Sequence, residues 1–329
     1  MRLPALLALA ATMSAADPVT WKVEPMTFQV QVADYGAPRP GGGNYPNKAT
    51  LRVEPRTVEV VVLDNGLIRA WVVPAWGGRL LRATLKDGKE LFYYKDDPIQ
   101  GILPWTPGGV RASVPFFEHG LHLEQPAGWR VVQGADGSVT VACDLRFTQF
   151  NEPRDKERYG RYGDEAVDCF TTLKPGSTLV TWRQRKENIN PLPRGDRFWN
   201  NALFPCPVVR KTAMVLDKKT GKEVEKELPD LEAMDRQISF LFPARWVVDH
   251  GPNQVHTSPH WTALKNWDVS HFAIDAPYGW AGAWYPQEGL NRLRINDTSV
   301  GRGAAVKLWN APGVPFFEYW GGEGIVFEK

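Results

Sequence analysis

Val58-Glu59-Val60-Val61-Val62-Leu63-Asp64-Asn65-Gly66-Leu67-Ile68-Arg69-Ala70-Trp71-Val72-Val73 decides the fold class. It consists of two runs rich in β-branched and aromatic residues around a short polar break. Asn-Gly between apolar runs is the strongest short-range hairpin signal, because its turn positions require positive φ, which Asn and Gly tolerate. The style repeats along the chain. Residues 79–85 and 91–94 flank Asp87-Gly88, 129–132 and 138–147 flank Asp136-Gly137, and 178–187 follow Pro175-Gly176. Further runs at 238–242, 246–249, 271–275, 282–285, 290–295, 305–309 and 325–327 have strand length and turn residues at their ends. Only residues 228–237 have a helical look, for about two turns. So many strands with so little helix predict an all-β sandwich or barrel.

The organisation read from this pattern is a leader over residues 1–16, an N-terminal strand region over 17–57 and one β domain over 58–329. The strand region includes the stretch 36–47, whose four Gly and three Pro exclude regular structure. Met1-Arg2, the apolar run 3–11 and Ser14-Ala15-Ala16 have the parts of a secretory signal peptide, so a secreted or periplasmic location is expected. No run is long enough to span a bilayer as a helix. Lys and Arg total 39 against 37 Asp and Glu, and the net charge of +2 with no basic patch argues against nucleic acid as partner. Arg183-Gln184-Arg185-Lys186 reads as the solvated end of a strand. Three cysteines do not make a disulfide framework. Cys143 and Cys169 fall on neighbouring expected strands and could pair, although buried thiols are favoured for all three, Cys206 included.

Several phrases together resemble the galactose mutarotase-like (aldose 1-epimerase-like) superfamily. They are Leu63-Asp64-Asn65-Gly66-Leu67 running to Gly77-Gly78-Arg79-Leu80, and Gly108-Gly109-Val110-Arg111 with Val114-Pro115-Phe116-Phe117, His119-Gly120-Leu121 and Trp129-Arg130. Leu173-Lys174-Pro175-Gly176 and Val306-Lys307-Leu308-Trp309-Asn310 with Phe317-Glu318 complete the set. The resemblance implies a β-supersandwich with very little helix and a sugar or glycan groove on its concave face. It also implies acid and base groups acting at the anomeric carbon. Matched by position, Glu318 takes the place of the general base, His119 that of a sugar-binding or catalytic histidine, and Arg111 that of a sugar-contacting arginine. The acid histidine of such enzymes belongs in Phe198-Trp199-Asn200-Asn201-Ala202-Leu203, where this sequence has Asn200 and Asn201. An amide hydrogen-bonds but does not deliver a proton at ordinary pH. His122, His256 and His271 are other candidates for that role.

Read on their own chemistry, the same residues point the same way. Glu318 stands between Phe317 and Tyr319, and a carboxylate among aromatics must line a cavity or meet a cation. Val114-Pro115-Phe116-Phe117-Glu118 is echoed by Val314-Pro315-Phe316-Phe317-Glu318, and strand alternation puts each Glu on the face of the first Phe. His119-x-x-His122 with Glu118 and Glu124 is a poor metal set, since residues three apart on a strand face opposite ways. His250, His256 and His260 read as a loop broken by Pro252 and Pro259. Trp199 and Trp284 are expected to stack on sugar, as are Trp261, Trp280 and Trp320. No phosphate loop, nucleophile elbow or Cys-x-x-Cys is present, so neither cofactor nor metal is expected. An aldose epimerase-like isomerase leads. A glycan-binding module without catalysis, a polysaccharide lyase or hydrolase using Glu118 or Glu124 with Glu318, and a purely structural sandwich stand as alternatives.

Overall fold

The computed structural model describes residues 17–32, 52–95, 99–100, 108–113, 126–147, 165–188, 199–242, 246–250, 255–257, 262–264, 270–274, 280–295, 305–309 and 314–323. Residues 1–16, read above as a leader, the Gly/Pro-rich stretch 36–47, residues 114–125 with His119 and His122, His260, Trp261 and residues 325–327 lie outside them.

The first strands are β1 (Thr20–Val32), β2 (Arg52–Asp64), β3 (Ile68–Val73), β4 (Arg79–Leu85), β5 (Ile99–Gln100), β6 (Val110–Ser113), β7 (Gly128–Gln133) and β8 (Val139–Phe147). Then come β9 (Glu165–Leu173), β10 (Thr181–Asn188), β11 (Trp199–Pro205) and a hairpin of β12 (Arg210–Leu216) and β13 (Glu223–Pro229). After the short helix α1 (Leu231–Asp235) follow β14 (Ser239–Phe242), β15 (Trp246–His250), β16 (Val255–Thr257), β17 (Thr262–Leu264), β18 (Ser270–Ile274), β19 (Trp280–Tyr285), β20 (Leu290–Ile295), β21 (Ala305–Trp309) and β22 (Phe316–Glu323).

Twelve strands form one sheet in the order β16-β15-β18-β21-β22-β11-β6-β4-β3-β2-β1-β5. Two four-stranded sheets, β10-β9-β8-β7 and β17-β14-β19-β20, pack on one of its faces. The main core lies between these layers. Leu63, Val72, Leu80, Phe204, Phe317 and Tyr319 of the large sheet meet Val141, Leu173, Phe240 and Ala283 of the smaller ones. Strand period two makes this possible: every second residue points inward and its neighbours point to the other face. On that other face Val60, Val62, Val73 and Leu81 form a second cluster with Phe28 and Val30. β1 pairs with β2 along thirteen positions and carries Pro25 in its middle, and β5 covers only Val30 and Gln31. The boundary drawn at 57/58 therefore falls within β2. The all-β sandwich with very little helix is the architecture observed. Among the described residues no helix is long and apolar enough to cross a membrane.

Several local expectations need correction. Residues 91–94 do not form a strand; they make isolated bridges through Glu90 and Tyr94 and backbone bonds from Tyr93 to Leu203 and Gly109. The helix is shorter than 228–237, because Leu228 is paired with Lys211 in β13 and Asp230 caps the turn by accepting from the Ala233 N–H. His250 and His256 are not in a loop but in β15 and β16, where Val247 pairs with His256. Arg185 is not at a strand end; it lies within the edge strand β10 and donates from Nε to Asp168 at 2.7 Å.

The Asp64-Asn65-Gly66 break is longer than a two-residue turn, with Asp64 paired to Arg69. Asn65 explains the difference. Its Oδ1 accepts from the backbone of Leu67 and Ile68, and its Nδ2 donates to the carbonyls of Lys174 and Ser177 at 2.7 and 2.8 Å. One buried amide thereby joins the β2–β3 corner to the β9–β10 corner of the facing sheet. Asn65→Ala is expected to lower the unfolding free energy by about 2–4 kcal/mol in urea titrations, because it strands buried backbone groups at both corners.

Cys143 and Cys169 stand directly opposite each other in β8 and β9, and these two and Cys206 are buried free thiols. Burial pushes Cys143 and Cys206 up to about 12 and raises Cys169 further. A thiol held neutral in the fold and free to ionise at its ordinary value of 9.0 when unfolded favours unfolding as pH rises. Stability is expected to hold below pH 9 and fall between 9 and 12 in pH-resolved denaturation. Iodoacetamide at pH 8 should label no thiol until urea is added.

Candidate functional site

β6, β11 and β22 run side by side in the middle of the large sheet. In register, Asn201 of β11 opposes Arg111 of β6 on one side and Trp320 of β22 on the other, while Leu203 opposes Glu318. The intervening residues Val110, Ala202, Phe204, Phe317 and Tyr319 fill the main core. Alternation then sends Arg111, Asn201, Leu203 and Glu318 together to the opposite face. Phe316 joins them there, packed with Leu203 and Tyr93, so Phe316 and Glu318 share a face as the sequence echo predicts.

The polar members of this group are almost sealed from solvent: Arg111 is 1% exposed, Asn201 0% and Glu318 6%. None of the three guanidinium nitrogens of Arg111 makes a hydrogen bond, nor does either side-chain amide atom of Asn201. Burial pulls the Arg111 pKa down to about 10, against the upward pull of the nearby Glu318 charge. Unmatched buried polar groups are rare in folded proteins and cost about 1–3 kcal/mol each. Donors from Arg111, a donor and an acceptor from Asn201 and a carboxylate at Glu318 together match a ligand whose groups both donate and accept, as hydroxyls do. Among the described residues no three His, Cys, Asp or Glu side chains gather as a metal would require.

Gly108 and Gly109 bring Arg111 to this place. Both have positive φ, and a Cβ on Gly109 would lie 1.9 Å from the Leu80 carbonyl oxygen. The Gly109 N–H donates to Tyr93 O and its carbonyl accepts from Leu203 N, which ties β6 to its neighbours just before Arg111. Arg79 seals the same corner, buried, with Nε donating to Gly108 O at 2.8 Å. It occupies the face of Arg111, since its neighbour Leu80 pairs with Val110. The Gly77-Gly78-Arg79 phrase carries no local signal for this part of Arg79; only the register reveals it.

The other sequence candidates fare differently. Asn200 opposes Ala112 and Gly321, on the face opposite Asn201; its Oδ1 is also unmatched, and Arg294 of β20 donates to its carbonyl and to that of Tyr319. It does not join Arg111 and Glu318. Trp284 is excluded too. Its neighbours Ala283 and Tyr285 are in the main core, so it stands on the far face of β19, with the core between it and Glu318. Trp199 opens β11 opposite Ser113. His271 pairs with Leu308 in β18, two strands from β22. His119 falls outside the described residues.

Fold and site define an all-β sandwich with a buried polar cluster on the face turned away from its main core. Comparison with known proteins agrees at the level of fold. A family model described as a domain of unknown function (DUF5107) matches residues 43–151, which include β2 to β8 and Arg111. A TPR-domain containing protein from Parabacteroides distasonis is similar at 17% identity and a TM-score of 0.68, over 95% of this chain. The chain spans 53% of that protein's length. The Slr1438 protein from Synechocystis is similar at 16% identity and a TM-score of 0.53, over 79% of this chain and 83% of that one. A galactose mutarotase-like protein from Lactobacillus casei aligns at 10% identity with a TM-score of 0.47, over 81% and 88% of the two chains.

Gly109→Ala is expected to prevent folding to the soluble native state, since a methyl group cannot share space with two backbone carbonyls at positive φ. Gly88→Ala has the same φ sign but open space around it, and should cost only about 1 kcal/mol. Soluble yield and thermal unfolding of the two variants, measured side by side, check this contrast.

Proposed function

We propose that this chain is a carbohydrate-binding protein of the aldose epimerase-like kind, taking a sugar against Arg111, Asn201 and Glu318. The observation that supports this reading is the cluster itself: a buried guanidinium and a buried amide without hydrogen bonds beside a buried carboxylate. Sugar hydroxyls would satisfy Arg111 and Asn201 at once, whereas an apolar ligand would leave them stranded. In the epimerase reading, Glu318 removes the proton of the anomeric hydroxyl as the ring opens. Arg111 keeps the carboxylate ionised before the step and, with Asn201, holds neighbouring hydroxyls. Ring opening also needs a proton delivered to the ring oxygen. The resemblance puts that acid in residues 198–203, where this chain has Asn200 and Asn201, so His122, His256 and His271 are the candidates for it, while His119 matches a histidine that holds the sugar. Export to the periplasm or beyond belongs to the same proposal and rests on the leader pattern in residues 1–16.

A second reading, sugar binding without turnover, is favoured by one specific feature. Asn200 and Asn201 occupy the stretch where an acid histidine is expected, and neither can act as a general acid. Glu318→Gln separates the two. It is expected to slow anomer interconversion, followed by NMR, by about a hundredfold or more while sugar binding survives. Equal rates in wild type and variant would remove Glu318 from catalysis. Binding with no interconversion in the wild type would leave the binding module.

A further inference from the structure

A cleft with charged residues in its wall lies away from the Arg111 cluster. It is a cleft of about 290 Å3 between the segment after β4, the end of β11 and the β19–β20 turn. Pro205 in its wall is four residues along β11 from Asn201, roughly 13 Å at strand rise. Tyr93 stands between the two, its ring centroid 5.1 Å from that of Phe316 in the cluster that also holds Leu203.

Arg292 is built into this cleft with its side chain 4% exposed. Its Nε and Nη2 donate to the Glu90 carbonyl at 2.9 and 2.8 Å, and Nη2 also donates to Glu288 at 2.8 Å. The guanidinium lies 4.2 Å from the Tyr285 ring centroid. With three bonds and a ring fixing it, its remaining nitrogen Nη1 is buried and makes no hydrogen bond. Glu90 shows the same asymmetry: Oε1 accepts from Arg82, while Oε2 is buried with none. The cleft is therefore walled by two residues whose donors and acceptors are only partly used. Phe92, Tyr94 and Pro205 supply apolar surface beside them. The charges cancel, with Lys89 and Arg292 against Glu90 and Glu288.

We infer that this cleft is a separate binding site for a neutral saccharide. A donor on Arg292 and an acceptor on the adjoining Glu90, both left unmatched, fit hydroxyl groups, which supply both functions, after a small turn of either side chain. Aromatic rings fit the apolar face of a sugar ring. The cancelled charge disfavours uronic acids and amino sugars, either of which would enter with a like charge facing it. The site is independent of the proposed chemistry at Glu318 and holds whether or not that chemistry occurs.

The test is calorimetric titration of the full chain with maltose, cellobiose and lactose, in parallel with glucuronic acid and glucosamine. It is run on wild type and on Arg111→Met, which removes the donors of the other cluster. Lys89→Trp, at a half-exposed rim position, fills the cleft without touching the core. At least one neutral disaccharide should bind in the Arg111→Met background, about tenfold or more weaker when Lys89→Trp is added, with an unchanged melting temperature. Arg292→Lys should weaken it similarly if it folds. The inference falls if no neutral disaccharide binds to Arg111→Met, if Lys89→Trp leaves binding unchanged, or if the charged sugars bind equally well. Absence of anomer interconversion in the wild type would count against catalysis at Glu318 and leave this one standing.

Discussion

Everything at the centre of this molecule depends on the strict alternation of β6, β11 and β22. Phe204, Phe317 and Tyr319 are locked into the main core, with Phe204 and Phe317 rings stacked at 5.5 Å and the Tyr319 hydroxyl donating to Gly282 of the facing sheet. Burial of such side chains contributes on the order of 2–3 kcal/mol each. The residues between them have no choice of direction. Arg111, Asn201 and Glu318 are held on the opposite face by the packing of their neighbours, and the energy that keeps Arg111 and Asn201 without hydrogen bonds is drawn from apolar contacts one residue away. A slip of one residue in β11 would exchange Asn201 for Asn200 and place Phe204 on the polar face.

Such a sheet can carry polar residues in its centre because each is backed by a filled layer. The Arg111 guanidinium lacks hydrogen bonds yet has the Glu318 charge near it, which reduces the cost of burying it. Its pKa near 10 leaves it protonated at neutral pH. A ligand entering such a place gains from groups already desolvated and fixed, so little ordering remains to be done on binding. Arg292 repeats the principle at the end of the sandwich with different partners, held by a carbonyl, a carboxylate and an aromatic ring.

Much of the fold was legible in the sequence because period two and Gly-containing turns are local signals. Residues 79–85, 290–295 and 305–309 are strands with the bounds expected. The turns at Gly88 and Gly137 have the positive φ their sequence requires. Glu318 and Arg111 were legible through composition and resemblance, since a carboxylate between aromatics must find a cation. What stayed hidden was long-range. Asn65 looked like a simple turn residue, but its amide reaches carbonyls more than a hundred residues away. Residues 91–94 have strand composition, yet Tyr93 bonds to two separate strands instead of pairing along one. The choice between Asn200 and Asn201 depends on register against Arg111, and the face taken by Trp284 is not legible because aromatic content says nothing of which layer a ring faces.

The outermost strands of the large sheet bear on how copies of this chain behave toward one another. At one end stands the three-residue β16, and at the other the two-residue β5 covers only the last part of β1. The rest of β1 carries Pro25, which has no N–H to offer, and an ion pair between Lys22 and Glu24 at 2.6 Å. A neighbouring molecule seeking to extend the sheet would meet an interrupted row of donors and charges to strip of water. So broad a sheet, which could seed fibrous stacking if its borders were long and greasy, is finished with borders that discourage it.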